Sequence, residues 1–206
     1  VLAVCLDLEG VLIPEIWINV ADRTGIAGLN RTTRDEPDYD KLMSYRLEIL
    51  DENDIKIDDI TSAIYSMDPL EGANEFLDSL ESRWPTFILS DTFSQFAKPM
   101  MQKLDYPTLL CHDLVIDDSG RISDWRIRCQ DHKRRTVDSL REMNYNVIAA
   151  GDSYNDTTML SAANSGILFR PPENVVQEFP QFPVAMEFSE LIREIESAAA
   201  DLGEHW

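Results

Sequence analysis

Two short acidic stretches carry residue types that can do chemistry: Asp7-Leu8-Glu9-Gly10-Val11, closing the first apolar run, and Gly151-Asp152-Ser153-Tyr154-Asn155-Asp156, closing a later one. The segment Leu2-Ala3-Val4-Cys5-Leu6-Asp7-Leu8 is nearly continuous in apolar character and reads as a buried parallel strand. Open α/β sheets bind ligands beyond the carboxyl ends of such strands, so Asp7 is a site candidate. Strand alternation projects Asp7 and Glu9 to the same side, where two like charges repel unless a cation or a shared proton lies between them. That arrangement asks for a metal.

The elements that must position these groups follow from periodicity. Ile16, Trp17, Val20 and Ala21 fall at helical spacing before Gly25, and Tyr39 to Leu50 and Ile57 to Met67 repeat the pattern, so residues 15 to about 70 read as helical. Helix and strand then alternate: helix Ala73 to Ser82, strand Thr86 to Ser90, helix Phe93 to Leu104, strand Thr108 to Cys111. Leu114 to Ile116 and Ile122 to Ile127, joined by Asp117-Asp118-Ser119-Gly120, read as a hairpin. The alternation resumes with helix Lys133 to Met143, strand Asn146 to Ala150, helix Thr157 to Ala163, strand Gly166 to Phe169 and a final helix Ser189 to Ala200. This is the pattern of an α/β fold with a Rossmann-like parallel sheet, and the early helical stretch is best placed as an inserted cap over the strand ends.

Composition narrows the function. The 206 residues are 44% apolar, enough for a substantial core, and the formal charge of −20 comes from 38 acidic against 18 basic residues. Such a balance argues against nonspecific nucleic-acid binding, which depends on basic patches. It also repels anionic substrates at long range, so a phosphorylated one needs cations placed locally. Cys5, Cys111 and Cys129 are too few and scattered for a disulfide framework or a zinc site; free thiols point to a reducing compartment, hence a cytoplasmic protein. The first apolar run is far shorter than the roughly 20 residues that span a bilayer, so no membrane segment is expected.

Taken in order, these motifs resemble the haloacid dehalogenase superfamily of phosphotransferases. Asp7-Leu8-Glu9-Gly10-Val11 is similar to its first motif, Ser90 in Ile88-Leu89-Ser90-Asp91-Thr92 to the second, Lys133 in Asp131-His132-Lys133-Arg134 to the third, and Gly151 to Asp156 to the fourth. Within it the chain resembles phosphoserine phosphatases, and most of all the ThrH group, described as phosphoserine phosphatases with phosphoserine:homoserine phosphotransferase activity. The stretches PEIW, LSDTF, LLCH, AAGDSYNDTTML and ENVVQEFPQFP carry that closer match. The resemblance implies a discontinuous catalytic core, residues 1–14 and 71–206, with a small helical cap at 15–70. It departs from most of the superfamily in having Glu9 where Asp is usual, and Ser90-Asp91-Thr92 where many phosphoserine phosphatases have Ser-Gly-Gly.

The resemblance also implies roles. Asp7 is the nucleophile that accepts the phosphoryl group, and Glu9 the acid that protonates the leaving serine oxygen and then the base for water or homoserine. Lys133 neutralises charge on Asp7 and phosphate, while Ser90, Asp91, Thr92 and Asn155 line the phosphate site. Mg²⁺ is the implied cofactor, held by Asp7, the Glu9 carbonyl and Asp152, with Asp156 behind them. Glu15 is expected to meet the substrate ammonium and Arg46 its carboxylate. Alternatives are a phosphatase of another small phosphomonoester, a dehalogenase on the same fold, and a noncatalytic module using Asp7 as a switch. Apolar cap or hairpin surfaces are compatible with a homodimer. Trp17, Met100, Met101, His112 and His132 read as structural, and Cys5 as an inert buried thiol.

Overall fold

The computed structural model describes residues 1–32, 35–36 and 38–204. β1 (Leu2–Leu6) is buried at every position because both of its faces are covered. Alternation splits its side chains: Leu2, Val4 and Leu6 join one apolar cluster, and Ala3 and Cys5 a second. β5 (Asn146–Gly151) and β6 (Ser165–Phe169) are divided in the same way, Ile148, Ala150 and Ile167 to the first side and Val147, Ala149 and Leu168 to the second. Helices cover both sides. α5 (Ser94–Lys103) and α8 (Phe188–Asp201) contribute Phe96, Met100, Leu191 and Ile195 to the first cluster; α6 (His132–Glu142) and α7 (Thr157–Ala162) contribute Val137, Leu140, Met159 and Leu160 to the second.

The other strands are β2 (Thr86–Phe93), β3 (Leu109–Ile116), β4 (Ile122–Arg126) and β7 (Val184–Ala185). Among the described residues the sheet runs β4-β3-β2-β1-β5-β6-β7, parallel except for the antiparallel β3–β4 pair. The chain builds outward from β1 to one side and then restarts with β5 on the other. The boundary between β1 and β5 is therefore the topological switch point, where such sheets open a crevice.

Between β1 and α4 (Ala73–Glu81) lie α1 (Ile16–Thr24), a 3-10 turn at Ala27–Asn30, α2 (Tyr39–Glu52) and α3 (Ile57–Tyr65). Gly25 ends α1 in the left-handed conformation, and the Asp38 carboxylate accepts from the Lys41 amide to cap α2. The two chain passages into and out of this stretch are tied together, Leu70 N–H donating to the Leu12 carbonyl at 2.9 Å. A third attachment comes from the β3–β4 hairpin: Ile57 N–H donates to Gly120 O at 2.9 Å, and Arg121 pairs with Asp51.

Two strand expectations are corrected. Thr108 to Cys111 and Leu114 to Ile116 are one strand, β3, which pairs with β2 in its first half and continues as the hairpin arm. β2 does not stop at Ser90 but runs to Phe93, because pairing with β3 resumes at Phe93 opposite His112 after a register shift. β7, too short to show in the sequence pattern, closes the far edge. Among the described residues no helix is long and apolar enough to cross a membrane.

Candidate active site

The switch point collects the four motifs. Asp7 follows β1, its amide donating to Ala150 O of β5 at 3.0 Å; Asp152 follows β5; Ser90 lies in β2; Lys133 is in the first turn of α6. Regular strand geometry ends at Leu6. The chain turns tightly, with Gly10 N–H donating to Ile13 O and the Leu12 and Ile13 amides both donating to Leu8 O. It is this turn, rather than strand alternation, that brings Asp7 and Glu9 to one cavity of about 370 Å³. Gly10 is required there: its φ is +78°, and a Cβ would sit 2.6 Å from the Asp152 carboxylate carbon. Gly151 is needed for a different reason, since a Cβ would collide with the side chain of Asp156.

Lys133 organises the buried charge. Its ammonium, 4% exposed as a residue, lies 2.9 Å from Asp7 Oδ1, 2.8 Å from Asp156 Oδ1 and 3.6 Å from Asp91 Oδ2. Burial by itself disfavours the charged lysine, but these carboxylates outweigh it and hold the ammonium well above its usual range. Asp156 is fully buried; its second oxygen accepts the amides of Asp152 and Ser153, so it orients Lys133 from a fixed base. Asp7 is pushed well above the usual carboxylate range by burial, then by Asp156 and Asp152, with Lys133 opposing. One ammonium is thus set against three carboxylates, and carboxylate oxygens of Asp7, Asp152 and Asp156 lie within 4.8 Å of one another. With Asp156 engaged by Lys133 and two amides, Asp7 and Asp152 form a hard oxygen donor set suited to a divalent cation such as Mg²⁺.

Glu9 accepts a hydrogen bond from Ile16 N–H at 2.8 Å. Burial first, and the nearby Glu15 second, push its carboxyl up to about 8, against the pull of that amide, Arg46 and Lys133. A carboxyl with that value is protonated near neutrality, as a proton donor must be. Because the folded value exceeds the ordinary 4.5, folding takes up a proton between the two, and stability falls as pH rises through that window. Metal-free protein is accordingly expected to melt at lower temperature at about pH 8.5 than at about pH 6. Glu9→Gln should shrink the difference; an unchanged pH slope would show that Glu9 does not ionise there.

Glu15 and Arg46 line the same cavity. Arg46 is 5% exposed, its guanidinium 4.4 Å over the Trp17 ring, with Nη2 donating to Arg31 O at 2.8 Å and Nε without a hydrogen-bond partner among the described residues. Burial lowers it to about 10, which leaves it charged. An aromatic platform under a buried cation with an unused donor is arranged to hold a planar anion. Trp17 both packs edge-on against Phe96 and lines the cavity beneath Arg46. Tyr39, which the sequence reading passed over, also lines this space and donates through its hydroxyl to Asp91 O at 3.3 Å.

The register shift in β2 falls at Ser90-Asp91-Thr92. It buries the Ser90 and Thr92 side chains, with the Thr92 amide donating to Ser90 Oγ at 3.2 Å, and leaves the Asp91 side chain 42% exposed. Bulges re-aim side chains in this way beside sites. Asn155, in the 3-10 turn Tyr154–Asp156, lines the same cavity. His112 and His132 are both buried and sit behind Asp91, their Nε2 atoms 3.5 and 3.3 Å from its Oδ1.

Over 196 residues the chain is 56% identical to phosphoserine phosphatase ThrH of Pseudomonas aeruginosa, a match covering 95% of this chain and 96% of that protein. The chain belongs to the phosphoserine phosphatase ThrH family. A phosphoserine phosphatase of Pseudomonas syringae pv. tomato is 54% identical over 195 residues, 95% of this chain and 82% of that one. The haloacid dehalogenase fold of the family is shared with solved phosphoserine phosphatases. One, a phospho-aspartyl intermediate analogue, superposes with a TM-score of 0.76 at 18% identity, over 93% of this chain and 97% of that one. A substrate-bound phosphoserine phosphatase complex gives 0.75 at 18% identity, over 95% and 96%. No family model matches the chain.

Proposed function

We propose that this protein is a Mg²⁺-dependent phosphoserine phosphatase working through an aspartyl-phosphate on Asp7, with residues 15–70 as a cap over a core of 1–14 and 71–206. The reading rests on one observation: Asp7, Glu9, Ser90, Lys133 and Asp152 line the cavity that also holds Glu15 and Arg46. The two ends of that cavity suit the two ends of the substrate. Arg46 on its Trp17 platform meets the carboxylate, Glu15 the ammonium, and the Lys133 end the phosphoryl group.

An Asp7 oxygen attacks phosphorus as the bond to the serine oxygen breaks, and Glu9 gives that oxygen its proton. Water or homoserine then attacks the same phosphorus, Glu9 takes the proton back, and the Asp7 carboxylate is regenerated. Ser90, Thr92 and Asn155 hold phosphoryl oxygens, and Lys133 offsets their charge. Asp7, Asp152 and the Glu9 carbonyl would hold Mg²⁺, which when bound supplies further neutralisation of the transferring group. Product analysis with phosphoserine and Mg²⁺, with and without homoserine, tests the reading: serine should appear in both, with phosphohomoserine only in the second. Absence of serine in both would end it.

Gly10→Ala is a sharper probe of the cation. The left-handed backbone costs an alanine about 1–2 kcal/mol, and the new methyl must displace the Asp152 carboxylate. Mg²⁺ affinity, followed as the rise in melting temperature with added Mg²⁺, is expected to weaken by about tenfold or more. Wild-type affinity in this variant would separate Asp152 from the cation.

A further inference from the structure

Asp91, His112 and His132 bring three metal-binding side chains within reach of one another, but their hydrogen bonds favour another reading. The Arg128 amide donates to His112 Nδ1 at 3.2 Å, which places the ring proton on Nε2, facing Asp91 Oδ1. That nitrogen is a donor and has no lone pair for a metal. His132 packs edge-on against His112, ring centroids 4.5 Å apart; neither of its nitrogens makes an aligned hydrogen bond among the described residues, and its Nε2 lies 3.3 Å from Asp91 Oδ1. The two buried imidazoles therefore flank one oxygen of Asp91, both Nε2 atoms lying within 3.5 Å of it. The other oxygen is left facing Lys133 at 3.6 Å.

Asp91 lines the phosphoryl end of the cavity yet has the same sign of charge as phosphate, so its part is unlike that of Ser90 or Thr92. We infer that Asp91, positioned by His112 and His132, competes with phosphate for the Lys133 ammonium and thereby promotes product release. The inference rests on the phosphatase reading above. Of the three carboxylates around Lys133, Asp7 carries the phosphoryl group in the proposed reaction and Asp156 is held by backbone amides. Asp91 alone among them is neither reacting nor buried: it is half-exposed and faces a second, larger cavity of about 590 Å³ that shares Tyr39, Asp91, Lys133 and Asn155 with the first. At 3.6 Å it is too far for a good hydrogen bond but near enough to attract the ammonium when an anion departs. While phosphate is bound, the same charge repels it. Partial desolvation raises Asp91, but Lys133 first and then the imidazoles more than reverse this and hold it well below the usual carboxylate range.

The test is calorimetric titration of inorganic phosphate into the Mg²⁺-loaded protein, alongside phosphate inhibition of phosphoserine hydrolysis. Asp91→Asn keeps the shape and removes the charge, and phosphate should bind and inhibit about tenfold more tightly. His112→Gln and His132→Gln should each tighten phosphate binding by a smaller factor, and should add nothing when combined with Asp91→Asn. A merely structural histidine would weaken phosphate binding or act equally in both backgrounds. Unchanged or weaker phosphate binding in Asp91→Asn overturns the inference while leaving the phosphatase reading intact. A wild-type protein that neither hydrolyses phosphoserine nor binds phosphate removes both.

Discussion

Replacing Asp7 by Asn is expected to lower phosphoserine turnover at least ~10⁴-fold while leaving the protein folded, because the amide keeps the volume but is a poor nucleophile. The structure adds a sign for stability. Asp7 is buried beside Asp152 and Asp156, which together push its carboxyl up, so without metal its charge is a cost near neutrality. The metal-free Asn variant should melt at the same temperature as wild type or higher. Acid-quenched protein incubated with labelled phosphoserine should retain label in the wild type and none in the variant. Residual turnover within tenfold of wild type would remove Asp7 from the chemistry.

Lys133→Met should abolish turnover too, and here the fold suffers. The substitution leaves Asp7 and the fully buried Asp156 without the ammonium that lies 2.9 and 2.8 Å from them. Breaking a buried ion pair by removing one partner costs about 3–5 kcal/mol, since the remaining charge is uncompensated. Denaturant titration should register a loss of that order in metal-free protein. Adding Asp156→Asn should restore part of the stability and none of the activity, which separates the structural share of Lys133 from the catalytic one. A single Lys133→Met variant as stable as wild type would mean that the buried charges find relief elsewhere.

How much of this was legible in the sequence depended on whether local pattern and tertiary contact agree. β1, β5 and β6 are apolar on both faces and could be read directly; the helical stretch was legible because Ile16, Trp17, Val20 and Ala21 form one buried stripe ended by Gly25. The strands beside the site were cut short for a physical reason. Ser90-Asp91-Thr92, at the register shift in β2, and His112-Asp113, in the middle of β3, are polar whether buried or exposed, so a rule built on apolar runs breaks off at them. The motifs fixed Asp7, Ser90, Lys133 and Asp152 as a group, but periodicity assigned Trp17 to packing alone and gave no sign of Tyr39. Nor does a one-dimensional pattern show that residues 91, 112 and 132 meet, for their contact depends on a register shift in β2 and on the position of α6 across the sheet.

The hairpin tip that reaches α2 and α3 bears on how molecules enter and leave. Arg121 with Asp51, and Gly120 with Ile57, pin the helical stretch on one flank, and the Leu12–Leu70 bond pins its two connections on another. The C-terminal end of α2 is anchored through Asp51, while at its N-terminal end Asp38 and Tyr39 border the larger cavity, so the open space beside the site lies at that end of the helix.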